Sequence, residues 1–136
     1  MAITDAIYNY LRADLTLAAL LASYGGQPAI FTADPVPGDA ILPYIVTAGD
    51  VTNSPFDTKT TRGNQIWRDV RCYTSATGSA KAVEEIADRV RALLHRKWFS
   101  IAGYVWIWAE CSGPIVADEQ DAYGRVVTVK LTIEET

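Results

Sequence analysis

The stretch Arg125-Val126-Val127-Thr128-Val129-Lys130-Leu131-Thr132-Ile133-Glu134 alternates almost without a break. Val127, Val129, Leu131 and Ile133 fall on one side. Thr128, Lys130, Thr132 and Glu134 fall on the other, which is the period of a half-buried strand. Two earlier stretches repeat the pattern. In Gln65–Thr74, Ile66, Val70 and Cys72 oppose Trp67, Asp69, Arg71 and Tyr73, while Arg68 interrupts the apolar side and predicts incomplete burial. In Tyr104–Cys111, Val105, Ile107, Ala109 and Cys111 oppose Tyr104, Trp106, Trp108 and Glu110. Gly113-Pro114 reads as the end of that strand.

An aliphatic sheet face needs a cover, and the chain offers one. Ala80–Lys97 carries Val83, Ile86, Ala87, Val90, Leu93 and Leu94 at helical spacing. Lys81, Glu84, Glu85, Asp88, Arg89, Arg91 and Arg96 form a solvated face, with Glu85 and Arg89 at ion-pair spacing. The basic run His95-Arg96-Lys97 suits a helix C-terminus. A shorter helix is expected near the start of the chain. Thr4 is its N-cap, Asp5 sits in its first turn, and Ile3, Ile7 and Leu11 make its stripe, widened by Tyr8. A further turn or two runs from Asp14 to Ala22 and stops at Gly25-Gly26. Ala29–Thr32 reads as a short strand, Asp34–Asp39 as a loop, and Tyr44–Gly49 as a strand opened by Pro43. The expected fold is α+β. It is a single two-layer domain spanning residues 1–136, with a mixed, mostly antiparallel β-sheet and the long and short helices packed on one face.

Composition narrows the function. The 136 residues are 49% hydrophobic and 21% charged, an ordinary globular balance. A net charge of −4 with mixed signs argues against sequence-specific nucleic-acid binding, which needs a concentrated basic face. Met1-Ala2-Ile3-Thr4-Asp5 has neither the basic start nor the apolar core of a secretory signal, and no run is long enough to span a membrane. The expectation is a protein made in a cytoplasm. The two cysteines, Cys72 and Cys111, read as buried thiols, or as a disulfide if their strands are neighbours. One histidine and two distant cysteines cannot build a zinc site. No nucleophile elbow, phosphate loop or calcium loop is present, so neither catalytic, metal nor cofactor residues are assigned. His95 reads as a partner of the helix dipole.

The polar side of the three strands is the informative one. It collects Trp67, Tyr73, Tyr104, Trp106 and Trp108, interleaved with Asp69, Arg71, Thr128 and Lys130. Trp, Tyr and Arg are enriched at interface hot spots. Trp67, Asp69, Arg71, Tyr73, Tyr104, Trp106, Trp108 and Lys130 are therefore the candidate interface with another subunit or a partner. The alternative is that the chain covers this face itself. Two loops are candidate docking elements. Thr52–Asn64, a long loop or hairpin tip, carries Phe56, Asp57, Lys59 and Arg62. The acidic turn carries Asp118, Glu119 and Asp121, and reads either as a solvated turn or as a rim that answers a basic neighbour.

Local wording and order of elements add a family resemblance. Ile7-Tyr8-Asn9-Tyr10-Leu11-Arg12-Ala13-Asp14, then Leu17-Ala18-Ala19-Leu20-Leu21, then Ile30-Phe31, then Leu42-Pro43-Tyr44-Ile45-Val46 follow one another before an aromatic strand, an Ala/Ile-rich helix and a Val-rich last strand. In this the chain resembles the tail-terminator (tail-completion) proteins of long-tailed phages and of phage-like gene transfer agents. The resemblance implies no enzyme and no cofactor. It implies a ring of copies of this chain, six in number, at the head-proximal end of the tail tube. Such a ring stops tube polymerisation and offers a docking face to the head connector. The partners implied are further copies, the tail tube protein and the head–tail connector or adaptor, and the place implied is the host cytoplasm during assembly and then the virion tail. A head-completion or neck adaptor protein of the same particle fits the sequence too. A small-ligand-binding α/β domain that uses the aromatic cluster for stacking is a further alternative.

Overall fold

The computed structural model describes residues 2–33, 36–47, 50–55, 57, 62–97, 101–119 and 121–135, the side chains of 2, 50–53, 106, 107 and 135 excepted. In chain order the elements are α1 (Ala2–Arg12), α2 (Leu15–Leu20), β1 (Ser23–Tyr24), β2 (Gln27–Pro28), β3 (Ile30–Phe31), β4 (Tyr44–Val46), β5 (Asp50–Pro55), β6 (Gly63–Ser75), α3 (Lys81–Leu94), β7 (Tyr104–Val116) and β8 (Ala122–Glu135).

The main sheet has the order β3-β4-β6-β8-β7, with β5 also paired to β6. Among the described strands only β3 and β4 pair in parallel. The alternating stretches thus become three long antiparallel strands, and β6 pairs with β8 from Gly63↔Glu134 to Ser75↔Ala122. Their apolar side carries Ile66, Val70, Cys72, Val127, Val129, Leu131 and Ile133, all fully buried. Against it lie Val83, Ile86, Ala87, Val90 and Leu94 of α3 together with Ile7, Leu11 and Leu17 of the N-terminal helices. Burial of each such side chain contributes roughly 1.5–3 kcal/mol, so this layer is the main source of stability.

Several local readings change. Thr4 does not cap α1. It lies inside the helix, and its hydroxyl accepts a 2.7 Å hydrogen bond from Nη2 of Arg68. Arg68 itself is 1% exposed, so its strand is buried where the sequence predicted a gap. A guanidinium can be buried when its donors are satisfied. Here Nε also donates to Thr47 Oγ1 at 3.0 Å, and Nη2 to the Thr47 carbonyl at 3.3 Å. Gly25-Gly26 does more than end a helix. With φ of 60° and 79°, the two glycines form the tight turn between β1 and β2, a backbone that L side chains resist. Within Thr52–Asn64, read as a long loop or a hairpin tip, residues 52–55 belong to β5 and 63–64 to β6, and the two strands pair from Asp50↔Arg68 to Pro55↔Asn64.

The helix layer has a polar tie that spacing did not reveal. Asp14 caps α2 by accepting from Leu17 N–H at 2.8 Å. Arg89 of α3 forks onto the same carboxylate, Nε to Oδ2 at 2.9 Å and Nη2 to Oδ1 at 2.7 Å. Arg89 thus reaches across to α2 instead of serving Glu85. The hydrogen bonds from Arg89 hold the Asp14 carboxyl below its usual pKa. Nearby, Tyr10 Oη donates to the Leu93 carbonyl at 2.8 Å and joins α1 to α3.

Asp14→Ala is expected to lower stability by about 1 kcal/mol through the lost cap, and further through the lost fork. A depressed carboxylate pKa stabilises above the ordinary range and loses that effect as pH falls through the folded value. The gap between wild type and variant in urea unfolding therefore closes as pH drops below about 4. A gap that stays constant from neutral pH into strong acid would show that the charge plays no part.

Candidate functional site

Register places the candidate interface residues beside one another on the side of the sheet away from α3. Trp67 lies opposite Lys130, and Lys130 opposite Glu110. Lys130 Nζ sits 5.2 Å from the Trp67 ring centroid, a cation–π contact. One pair along, Asp69 accepts a 2.8 Å hydrogen bond from the Thr128 hydroxyl. Trp67 and Asp69 are half-buried and Arg71 is exposed. Trp67, Glu110, Ser112, Thr128 and Lys130, with Cys111 and His95 at its border, line a shallow depression of about 280 Å³. This part of the face is open, polar and aromatic.

Not every candidate joins it. Two bulges in β7 change the alternation. Trp106 is in register with Ile133 but Trp108 with Thr132, so one extra residue is inserted between them. Before that bulge the faces are exchanged relative to simple alternation. Tyr104 packs against the main core, and Val105, expected inside, is 49% exposed. The side chain of Trp106 lies outside the described residues, while Trp108 is 44% exposed. The second bulge falls between Ser112 and Ile115, and β7 runs on through it to Val116 where Gly113-Pro114 was expected to end it. Gly113 has φ 93°, and a Cβ there would stand 2.7 Å from the Val126 carbonyl oxygen.

Tyr73 is covered by the chain itself. It is buried in a small cluster with Val46 and Ala122, packed by Val36, Leu42 and Tyr44. It also ends a row of ring contacts, Tyr24–Phe31–Tyr44–Tyr73, with centroids 5.2, 5.6 and 5.7 Å apart. The sequence held no periodic sign of this row, because its members come from four separate strands.

The docking loops divide in the same way. Asp118 is engaged internally, accepting from Gly124 N–H at 2.9 Å and from Arg125 Nη1 at 3.2 Å. Glu119 accepts from Tyr73 Oη at 3.3 Å. Asp121 is exposed. In the hairpin, Asp57 accepts from Gly63 N–H at 3.3 Å and Arg62 is exposed, while Phe56 and Lys59 lie outside the described residues.

His95 does not serve the helix dipole alone. It is the C-cap of α3, and its Nδ1 accepts a 3.0 Å hydrogen bond from the Cys111 N–H of β7. Arg96, with φ 56°, holds its guanidinium 5.6 Å from the Trp108 ring centroid. Among the described residues no group of three or more His, Cys, Asp or Glu side chains is placed to hold a metal ion. No helix among them is long and apolar enough to cross a membrane.

The fold and its surfaces define a small two-layer α+β domain, with one face filled by helices and the other partly open. The structure is similar to a chain in the virion of a native gene transfer agent particle, with a TM-score of 0.77 and 20% identity over 97% of this chain and 94% of that one. The family model for tail completion protein gp17 matches residues 5–134, and the chain belongs to that family. It is accordingly a structural tail-completion protein. No curated protein matches it significantly in sequence.

The two cysteines lie on strands separated by β8 and remain free. Burial pushes the Cys72 thiol up to about 12 and the Cys111 thiol up to about 11. Both are expected to resist a thiol reagent at pH 8 in the folded protein and to react fully once it is unfolded, because the thiolate is the reactive form. Fast labelling of either in native protein would overturn that burial.

Proposed function

We propose that this chain is the tail terminator of its particle. Six copies form a ring on the head-proximal end of the tail tube, stop further tube polymerisation and present the surface on which the head connector docks. Membership of the tail-completion family over nearly the whole chain is the observation that carries this reading. The likeness to a chain of a gene transfer agent virion agrees with it. The physical demands are modest. A ring needs a heterologous contact, so each subunit must carry two complementary patches. The open sheet face with Trp67, Asp69, Arg71, Trp108 and Lys130 is one proposed patch. Arg62 and Asp121, on loops at the sheet margins, are candidates for contacts with the tube, the connector or a neighbour. Assembly takes place in the host cytoplasm, and the ring then stays in the virion.

Electron microscopy of particles made without this gene tests the role. Overlong or headless tubes beside full heads are expected. Capped tails of normal length beside leaking heads would instead mean a head-completion or neck protein, and unchanged particles would end the assembly reading.

Trp108→Ala tests the surface. Because the ring is half exposed, the loss of stability is expected to be about 1 kcal/mol or less. Incorporation of the variant into particles should fall several-fold. A large fall in melting temperature with normal incorporation would assign Trp108 to the subunit's own packing.

A further inference from the structure

Strand β7 is an edge of the main sheet. Among the described residues, the large apolar side chains left exposed include Val105, Trp108, Ile115 and Val116, all on this strand. A long edge with exposed apolar residues invites pairing with another chain, and proteins guard against it. Here the guard comes from the end of α3. Arg96 N–H donates to the Ala109 carbonyl at 3.0 Å, and Cys111 N–H donates to His95 Nδ1 at 3.0 Å. Ala109 and Cys111 flank Glu110 on the outward side of the strand. A parallel neighbouring strand with one residue beside Glu110 would make this same pair of bonds, giving its N–H to residue 109 and its carbonyl to residue 111. Arg96 supplies the N–H. The bare Nδ1 of His95 stands in for the carbonyl, which leaves the ring proton of the neutral imidazole on Nε2.

We infer that the turn His95–Arg96 is an edge guard, which occupies the middle of β7 as a false partner strand and prevents a second copy of this chain from adding a strand there. Three features support this. The turn bends so that its amide faces β7, at the cost of a left-handed backbone at Arg96, a conformation that non-glycine residues avoid. The same residue lays its guanidinium over Trp108, next to the guarded position. The guarded position also lies between the exposed pairs Val105, Trp108 and Ile115, Val116, so it splits the apolar edge into two short pieces. The guard is independent of the terminator reading, since it concerns strand addition at β7 and not the ring.

The test compares wild type, His95→Ala and His95→Gln by amide hydrogen exchange and by sedimentation across a concentration series. In wild type the Cys111 amide is expected to be protected as a ladder amide is. His95→Ala should speed its exchange about fivefold or more, the equivalent of one hydrogen bond of roughly 1 kcal/mol. It should also add a concentration-dependent species with an infrared signature of intermolecular strand pairing. His95→Gln, which keeps an acceptor, should return both towards wild type. Folded His95→Ala with unchanged exchange and unchanged association overturns the guard. If His95→Ala does not fold, the wild-type measurement decides, because Cys111 exchange close to that of an unstructured amide overturns it alone.

Discussion

The antiparallel ladder between β6 and β8 is the constraint on which the rest of the structure depends. Its register, Gly63↔Glu134 through Ser75↔Ala122, puts Ile66, Val70, Val127, Val129, Leu131 and Ile133 on one side. A shift of a single residue would turn that whole set to solvent. With the register set, α3 has one place to lie, and α1 and α2 fill what α3 leaves uncovered. The ladder also determines what the opposite face can display. Trp67, Lys130, Asp69 and Thr128 meet there because their partners meet inside.

Much of this is legible in the residue pattern alone, and for physical reasons. Periodicity is strong where a residue's face is decided by burial alone, as in Val127, Val129, Leu131 and Ile133 or along α3. The family resemblance is legible in the order of short motifs, and family membership bears it out. What the pattern hides is set by backbone irregularity or by contacts between distant segments. The bulge between Trp106 and Trp108 leaves no trace in composition, yet it exchanges the faces of Tyr104 and Val105. Gly113-Pro114 looks like a stop, but the strand absorbs both residues in a second bulge. Arg68 looks like a defect in an apolar row because the hydroxyls that satisfy it belong to Thr4 and Thr47, far off in sequence.

The candidate surface is half legible for the same reasons. Trp67, Asp69 and Lys130 follow regular alternation and share a face. Tyr73 follows it too, but Val36, Leu42 and Tyr44 cover it. The acidic turn looks available for a partner, yet Asp118 and Glu119 are held by Arg125 and Tyr73. A charge in a loop reads as free in a sequence, whereas a fold often engages it locally. The contact of His95 with β7 is out of reach of pattern reading, since it depends on where a helix ends relative to a strand that follows it.

The position of β8 has a kinetic consequence. Among the described strands it comes last in chain order, yet it lies between β6 and β7. Neither long neighbour can pair with it until that strand has itself been made. Helices and the β5–β6 hairpin are local and can form early, but the sheet must wait for its middle, and such non-local pairing is intrinsically slow. A chain without β8 in place thus lacks the open face and the edges of the finished fold, and both arrive together with the closing of the sheet.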